Sequence, residues 1–159
     1  MSHKSWSMSV HKISVKFYPV LKDDLLSQIV YFYYKIRNLP SDYTHCAISL
    51  DGYVYDLTIK GIGCVYEAIE SQTRQARLQA VWTVNDQTYW YIMERISVCL
   101  TLELRLQLID FIRVFVGHAP KLLCTDFVVL VLGFTPTHLL PWELAELLKE
   151  GVNVEIHQT

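Results

Sequence analysis

Basic residues never gather in this chain: 14 lysines and arginines are spread against 16 aspartates and glutamates, for a net charge of −2. A nucleic-acid backbone is thereby excluded as the main partner, because phosphate binding needs a concentrated positive surface. Long hydrophobic runs are missing as well. The longest, such as residues 127–132, are far too short to span a bilayer. The four cysteines, Cys46, Cys64, Cys99 and Cys124, form no CxxC pair and no other metal-ligand spacing. At 159 residues the chain can bury a core without a disulfide framework, so reduced thiols are expected. The opening stretch Met1-Ser2-His3-Lys4-Ser5-Trp6-Ser7 carries no apolar core of a secretory leader. The expectation is synthesis in a cytoplasm without a signal peptide. Repeats, low-complexity tracts and linkers are absent too, which leaves one domain over 1–159, with 1–10 loose.

What is present is a sticky composition. Hydrophobic residues make up 52% of the chain and charged ones only 19%, which rules out disorder. With 13% aromatics and so few charges, some apolar surface is expected to face a peptide, a lipid or another subunit.

The period of the hydrophobic pattern changes midway. Lys12 to Val20 mixes β-branched and aromatic residues, as a strand does, and Asp23 is placed to cap a helix through Leu25, Ile29, Val30 and Tyr33 that Leu39-Pro40 closes. Thr44 to Leu50 and Tyr53 to Thr58 flank Asp51-Gly52, the strongest short hairpin signal. Further strands are expected over Cys64–Ile69 and Leu78–Val84. Helical spacing then covers Thr88–Leu100, Leu102–Val116, Thr125–Leu132 and Pro141–Lys149, with Gly151 suited to end the last helix. Val152–Ile156 fits a short edge strand. Strands first and helices later predict an α+β fold, an antiparallel sheet with helices packed on one side.

Two segments carry chemistry. Cys124 follows a turn and opens the helical run Thr125–Leu132, and a helix N-terminus favours the thiolate, the form that attacks. Far upstream, alternation about the Asp51-Gly52 turn puts His45, Ala47, Asp56 and Thr58 on one face, with His45 and Asp56 diagonal neighbours. An imidazole oriented by a carboxylate and facing a thiol is the outfit of a cysteine nucleophile, with His45 as base and Asp56 fixing its tautomer. The backbone N–H of Cys124 is the simplest oxyanion donor, and Tyr43 is a second candidate by its nearness to His45. His118 is an alternative base, although a histidine complementing the end of a preceding helix explains it as well. Asp126 would oppose the thiolate unless it caps the helix. A zinc site from His45, Cys46 and Cys124 lacks any paired motif, so no metal and no cofactor are expected. Trp82, Trp90 and Trp142 are expected in the core, and the aromatic cluster at Tyr31, Phe32, Tyr33 and Tyr34 splits between core and a partner surface.

The stretches 44–56, 117–128 and 133–140 together resemble the circularly permuted papain-like hydrolases of the NlpC type, a group that includes the lecithin retinol acyltransferase-like enzymes. Thr44-His45-Cys46-Ala47-Ile48-Ser49-Leu50 is similar to the histidine-bearing hairpin of that group. Leu123-Cys124-Thr125-Asp126-Phe127-Val128 is similar to its cysteine segment, and Thr135-Pro136-Thr137-His138-Leu139 to the stretch that trails it. The resemblance implies a permuted papain-like domain with Cys124 as nucleophile, His45 as base and Asp56 as third member. It implies a thiol hydrolase or transferase acting on amide bonds such as those of cell-wall peptides. A phage or virion product delivered by another machine would fit the missing leader. The alternatives are a catalytically silent structural or interaction module and a lipid or acyl transferase.

Overall fold

The computed structural model describes residues 9–22 and 24–149. Asp23, Gly151, the strand expected at 152–156 and residues 1–8 of the start expected to be loose lie outside the described residues; Val10, the last residue of that start, already belongs to the first strand. The elements run β1 (Val10–Tyr18), α1 (Leu25–Ile36), β2 (His45–Leu50), β3 (Tyr53–Thr58), β4 (Gly61–Tyr66), α2 (Glu67–Glu70), β5 (Leu78–Asn85), α3 (Asp86–Thr101), α4 (Leu108–Phe115), α5 (Cys124–Val131) and α6 (Pro141–Lys149). All neighbouring strands are antiparallel, in the order β4-β3-β2-β1-β5. The fold is α+β with a five-stranded antiparallel sheet.

The hairpin β2–β3 forms in the expected register, Leu50 opposite Tyr53 and Ser49 opposite Val54. Asp51 (φ 47°) and Gly52 (φ 89°) both adopt left-handed backbone, the conformation a two-residue turn needs to match strand twist. One sheet face carries Ile13, Val15, Phe17, Cys46, Ile48, Leu50 and Leu57, all buried. Against it pack Leu26, Val30 and Tyr34 of α1, Ile92 and Ile96 of α3, Phe111 of α4, Phe127, Val128 and Val131 of α5, and Leu144 and Ala145 of α6. Each fully buried aliphatic or aromatic side chain contributes about 1.5–3 kcal/mol, so this layer dominates the stability. The five longer helices share that face.

The opposite face is smaller and polar. Tyr18, Ala47 and Val54 form its apolar part, with Val65 and Ala76 packed on them. The single turn α2 contacts β3 and β4, and its Glu67 and Glu70 reach Ser49, Lys16 and Tyr18. The strand expected over Cys64–Ile69 therefore begins earlier, at Gly61, and stops at Tyr66, where these carboxylates turn inward to find partners. Helix cover is thus not confined to one side.

Two further boundaries differ from expectation. Asp24 caps α1, its carboxylate accepting the N–H of Leu26 at 3.1 Å and of Ser27 at 3.4 Å. Residues 102–107, expected to be helical, link α3 to α4: Glu103 takes a left-handed φ of 52°, and the Leu106 N–H donates to the Thr58 carbonyl at 2.9 Å. That crossing brings the 102–107 segment beside the end of β3.

Candidate active site

β2 begins at His45 and α5 begins at Cys124, so one strand start and one helix start meet at the same end of the sheet. α5 packs on β2 and β3. Its first residue can approach them closely because the Leu123 N–H is satisfied locally: Asp126 Oδ2 accepts it at 2.8 Å. The other Asp126 oxygen accepts the His138 N–H at 3.0 Å, and His138 Nδ1 lies 2.7 Å from Oδ2. Asp126, 2% exposed, thereby ties the helix start to the loop after α5. Thr125 Oγ1 adds a bond to the Leu139 carbonyl in the same loop. The carboxylate beside the thiol is a cap, which removes the objection that it would oppose the thiolate.

His45 Nε2 sits 2.8 Å from Asp56 Oδ2. The bond occupies Nε2 and leaves Nδ1 as the nitrogen free for sulfur, and His45 and Cys124 line the same cleft. Arg74 secures the carboxylate from behind: its Nη2 donates to Asp56 Oδ2 at 3.1 Å and to Glu70 Oε2 at 2.8 Å. The guanidinium also lies over the Tyr18 ring, 4.3 Å from its centroid, and the Tyr18 hydroxyl donates to Glu70 at 2.8 Å. Opposite Asp56 across the β3–β4 ladder stands Gly63. A Cβ there would come within 3.0 Å of Asp56 Oδ1, so the absent side chain makes room for the carboxylate.

The charges agree with the geometry. Burial works against charging His45, yet the Asp56 hydrogen bond and the Cys124 sulfur outweigh it and push the ring up to about 9. Asp56 is held below its ordinary value although burial opposes this, because the His45 bond and the Arg74 charge favour the anion. Cys124 is driven well below the free-thiol range, first by a hydrogen bond from the Cys46 thiol and then, against its burial, by His45 and the Cys46 backbone N–H. The His45 and Cys124 shifts both favour the thiolate–imidazolium form of the pair. At the start of α5 the Asp126 N–H is taken by the Leu123 carbonyl at 3.0 Å, which leaves the backbone N–H of Cys124 itself as the expected oxyanion donor.

Cys124, His45 and Asp56 line one cleft of about 530 Å³, with Arg74, Lys60 and Leu106 on its walls. A second, apolar pocket meets the same sulfur: Cys124 and Thr44 border both, and Val30, Tyr33, Phe111 and Phe115 continue the apolar one between α1 and α4. The three expected site residues are thus brought together. The weaker candidates are not. Tyr43 packs against Phe17, ring centroids 6.0 Å apart, and His118 is exposed after α4, its N–H on the Arg113 carbonyl. Trp90 is 65% exposed, whereas Trp82 and Trp142 pack on the core.

Sequence reasoning missed Cys46, Arg74 and Tyr34. Cys46 Sγ stands 3.8 Å from Cys124 Sγ, and Tyr34, 1% exposed, lies near them, its phenol raised first by burial and then by the charge at Cys124. Strand alternation does point Cys46 to the helix-bearing face. Nothing local signals Arg74, which reaches the sheet from the loop after α2. Among the described residues, no group of three histidine, cysteine or acidic side chains is arranged to hold a metal ion, and no helix is long and apolar enough to cross a membrane. Compared with known proteins, the chain matches no family model, no curated protein and no solved structure.

Proposed function

We propose that this protein is a thiol hydrolase or transferase of the permuted papain-like type, working through Cys124, His45 and Asp56. The observation that carries the reading is the His45–Asp56 bond of 2.8 Å in the cleft that Cys124 lines at the start of α5. In this mechanism the Cys124 thiolate attacks a carbonyl carbon, and the developing oxyanion is met by backbone N–H groups of α5. The His45 imidazolium protonates the leaving amine or alcohol as the tetrahedral adduct collapses to a thioester. Neutral His45 then takes a proton from water, or from another acceptor, which attacks the thioester and frees Cys124. Asp56 stays ionised throughout and keeps the Nε2–H tautomer, with Arg74 holding Asp56.

The substrate class we propose is an amide bond in a cell-wall-type peptide, with delivery by a phage or virion apparatus. A second reading is acyl transfer from a lipid ester: the apolar space beside Cys124 between α1 and α4, about 20 Å³, would have to widen to take the chain. A catalytically silent virion module is the reading that loses most by the buried charge pair, since a docking function has no need to hold a thiolate against an imidazolium.

The test is a panel of donors: p-nitrophenyl esters of acetate, hexanoate and decanoate, and short peptide anilides. The chain should form a covalent acyl adduct on Cys124, seen by intact mass, that His45→Ala does not form. Rates rising with acyl length point to the lipid reading; rates following peptide sequence point to the peptidase. No adduct from any donor, with the protein folded, would remove the enzyme proposal.

A further inference from the structure

Cys46 belongs to no step of that mechanism, yet its sulfur lies 3.8 Å from that of the nucleophile, against about 2.05 Å in a disulfide. It is fully buried on β2. Cys46 on β2 and Cys124 at the start of α5 meet across the contact between these elements, so the two sulfurs need only close the remaining gap for a bond to form. The two thiols also differ sharply in character. Burial, followed by the neighbouring Cys124 thiolate, pushes Cys46 well above the free-thiol range, while Cys124 is driven down. One anion and one proton are shared between two sulfurs.

We propose that Cys46 is the resolving thiol of Cys124, so that a hydroperoxide entering the cleft leaves the pair as a reversible intramolecular disulfide. The inference rests on the reading of Cys124 as a thiolate. The Cys124 sulfur attacks the terminal oxygen of the hydroperoxide; the S–O bond forms, the O–O bond breaks, and the departing alkoxide or hydroxide takes a proton from the His45 imidazolium. Cys124 is now a sulfenic acid. The Cys46 thiol gives up its proton and its sulfur attacks the Cys124 sulfur; the S–S bond forms, the S–O bond breaks, and hydroxide leaves as water. Two thiols have together supplied two electrons, and one hydroperoxide has become an alcohol and a water. A dithiol reverses the bond by thiol–disulfide exchange. Without Cys46, the sulfenic acid stays open to a second and third oxidation, which are irreversible. The exposed Cys64 and the buried Cys99 are not part of this pair.

The experiment treats the whole protein with hydrogen peroxide, blocks free thiols with iodoacetamide, and maps non-reduced peptides by mass spectrometry, for the wild type and Cys46→Ser. The wild type should lose two hydrogen atoms, join the peptides containing residues 46 and 124, and regain full Cys124 alkylation after dithiothreitol. Cys46→Ser should instead gain two or three oxygen atoms on Cys124 and lose all dithiothreitol recovery. Wild-type Cys124 over-oxidised while Cys46 remains alkylatable would overturn the proposal and leave the nucleophile intact. Wild-type Cys124 inert to both peroxide and iodoacetamide would overturn the proposal together with the thiolate reading. The wild-type map is decisive even if Cys46→Ser does not fold.

Discussion

Two acid–imidazole pairs, one buried and one partly open to solvent, flank the start of α5, and they do opposite things. His45 lies 2.8 Å from Asp56 and His138 lies 2.7 Å from Asp126. Asp126 also accepts two backbone N–H groups, and His138 is 36% exposed at the side chain, with a left-handed φ of 57°. That pair is a bracket which fixes where α5 begins. Asp56 shares its carboxylate with Arg74, and the remaining nitrogen of buried His45 belongs to the cleft that Cys124 lines. The hydrogen bond is the same in both places; the task is set by what the remaining nitrogen and the remaining oxygen touch.

The contrast breaks most visibly at the imidazoles. His45→Ala should lower acyl-adduct formation on the order of 10⁶-fold, since nucleophile and base act as a unit, whereas His138→Ala should leave the adduct rate per folded molecule unchanged. Rapid-quench mass spectrometry on both variants checks this. Next in size, Asp56→Asn should cost about 10⁴-fold in the same rate by loosening the tautomer.

Asp56→Asn should also move the alkaline limb of the pH profile, which for the wild type lies near the value of about 9 held by His45. The sign follows from the shift: a raised folded-state value means the charged ring stabilises the protein fully below the ordinary imidazole value of about 6.5. That stabilisation fades as pH climbs through about 9. Removing the Asp56 charge should pull the limb toward lower pH, read from adduct rates between pH 5 and 10.

On the other side of the comparison, Asp126→Ala orphans three donors at about 1–3 kcal/mol each, so urea unfolding should show a loss of about 3 kcal/mol or more. His138→Ala removes one contact and should cost about 1 kcal/mol. The smallest effect is expected at Gly63→Ala. A methyl 3.0 Å from Asp56 Oδ1 makes the carboxylate give way without breaking its bonds outright, and the adduct rate should fall about tenfold.

How far the sequence carried this account differs between the same two regions. The His45–Asp56 pair was legible because strand alternation and an Asp-Gly turn convert sequence spacing into register, with no long-range information needed. Cys124 was legible as a helix start because turn residues give way to an apolar run. The bracket was not, since its partners, twelve positions apart, meet only when the loop after α5 folds back. Arg74 and the Cys46–Cys124 approach are likewise tertiary, the latter joining residues 78 positions apart. The non-helical link at 102–107 was hidden because no proline or glycine marks it; its cause is a bond from Leu106 to the far end of β3. The α+β class and the antiparallel sheet followed from the change of hydrophobic period. The share of polar and apolar cover on each face depended on α2, a single turn too short to announce itself.

The chemistry of the site turns on whether His45 ionises Cys124. The most direct measurement is the rate of iodoacetamide labelling at Cys124 against pH from 4 to 10, by peptide mass spectrometry, for the wild type and His45→Ala, with exposed Cys64 as the internal comparator. The account predicts that wild-type Cys124 labels ahead of Cys64 at pH 6 and that His45→Ala abolishes this lead, shifting the Cys124 profile toward alkaline pH. Superimposable Cys124 profiles in the two proteins would contradict it.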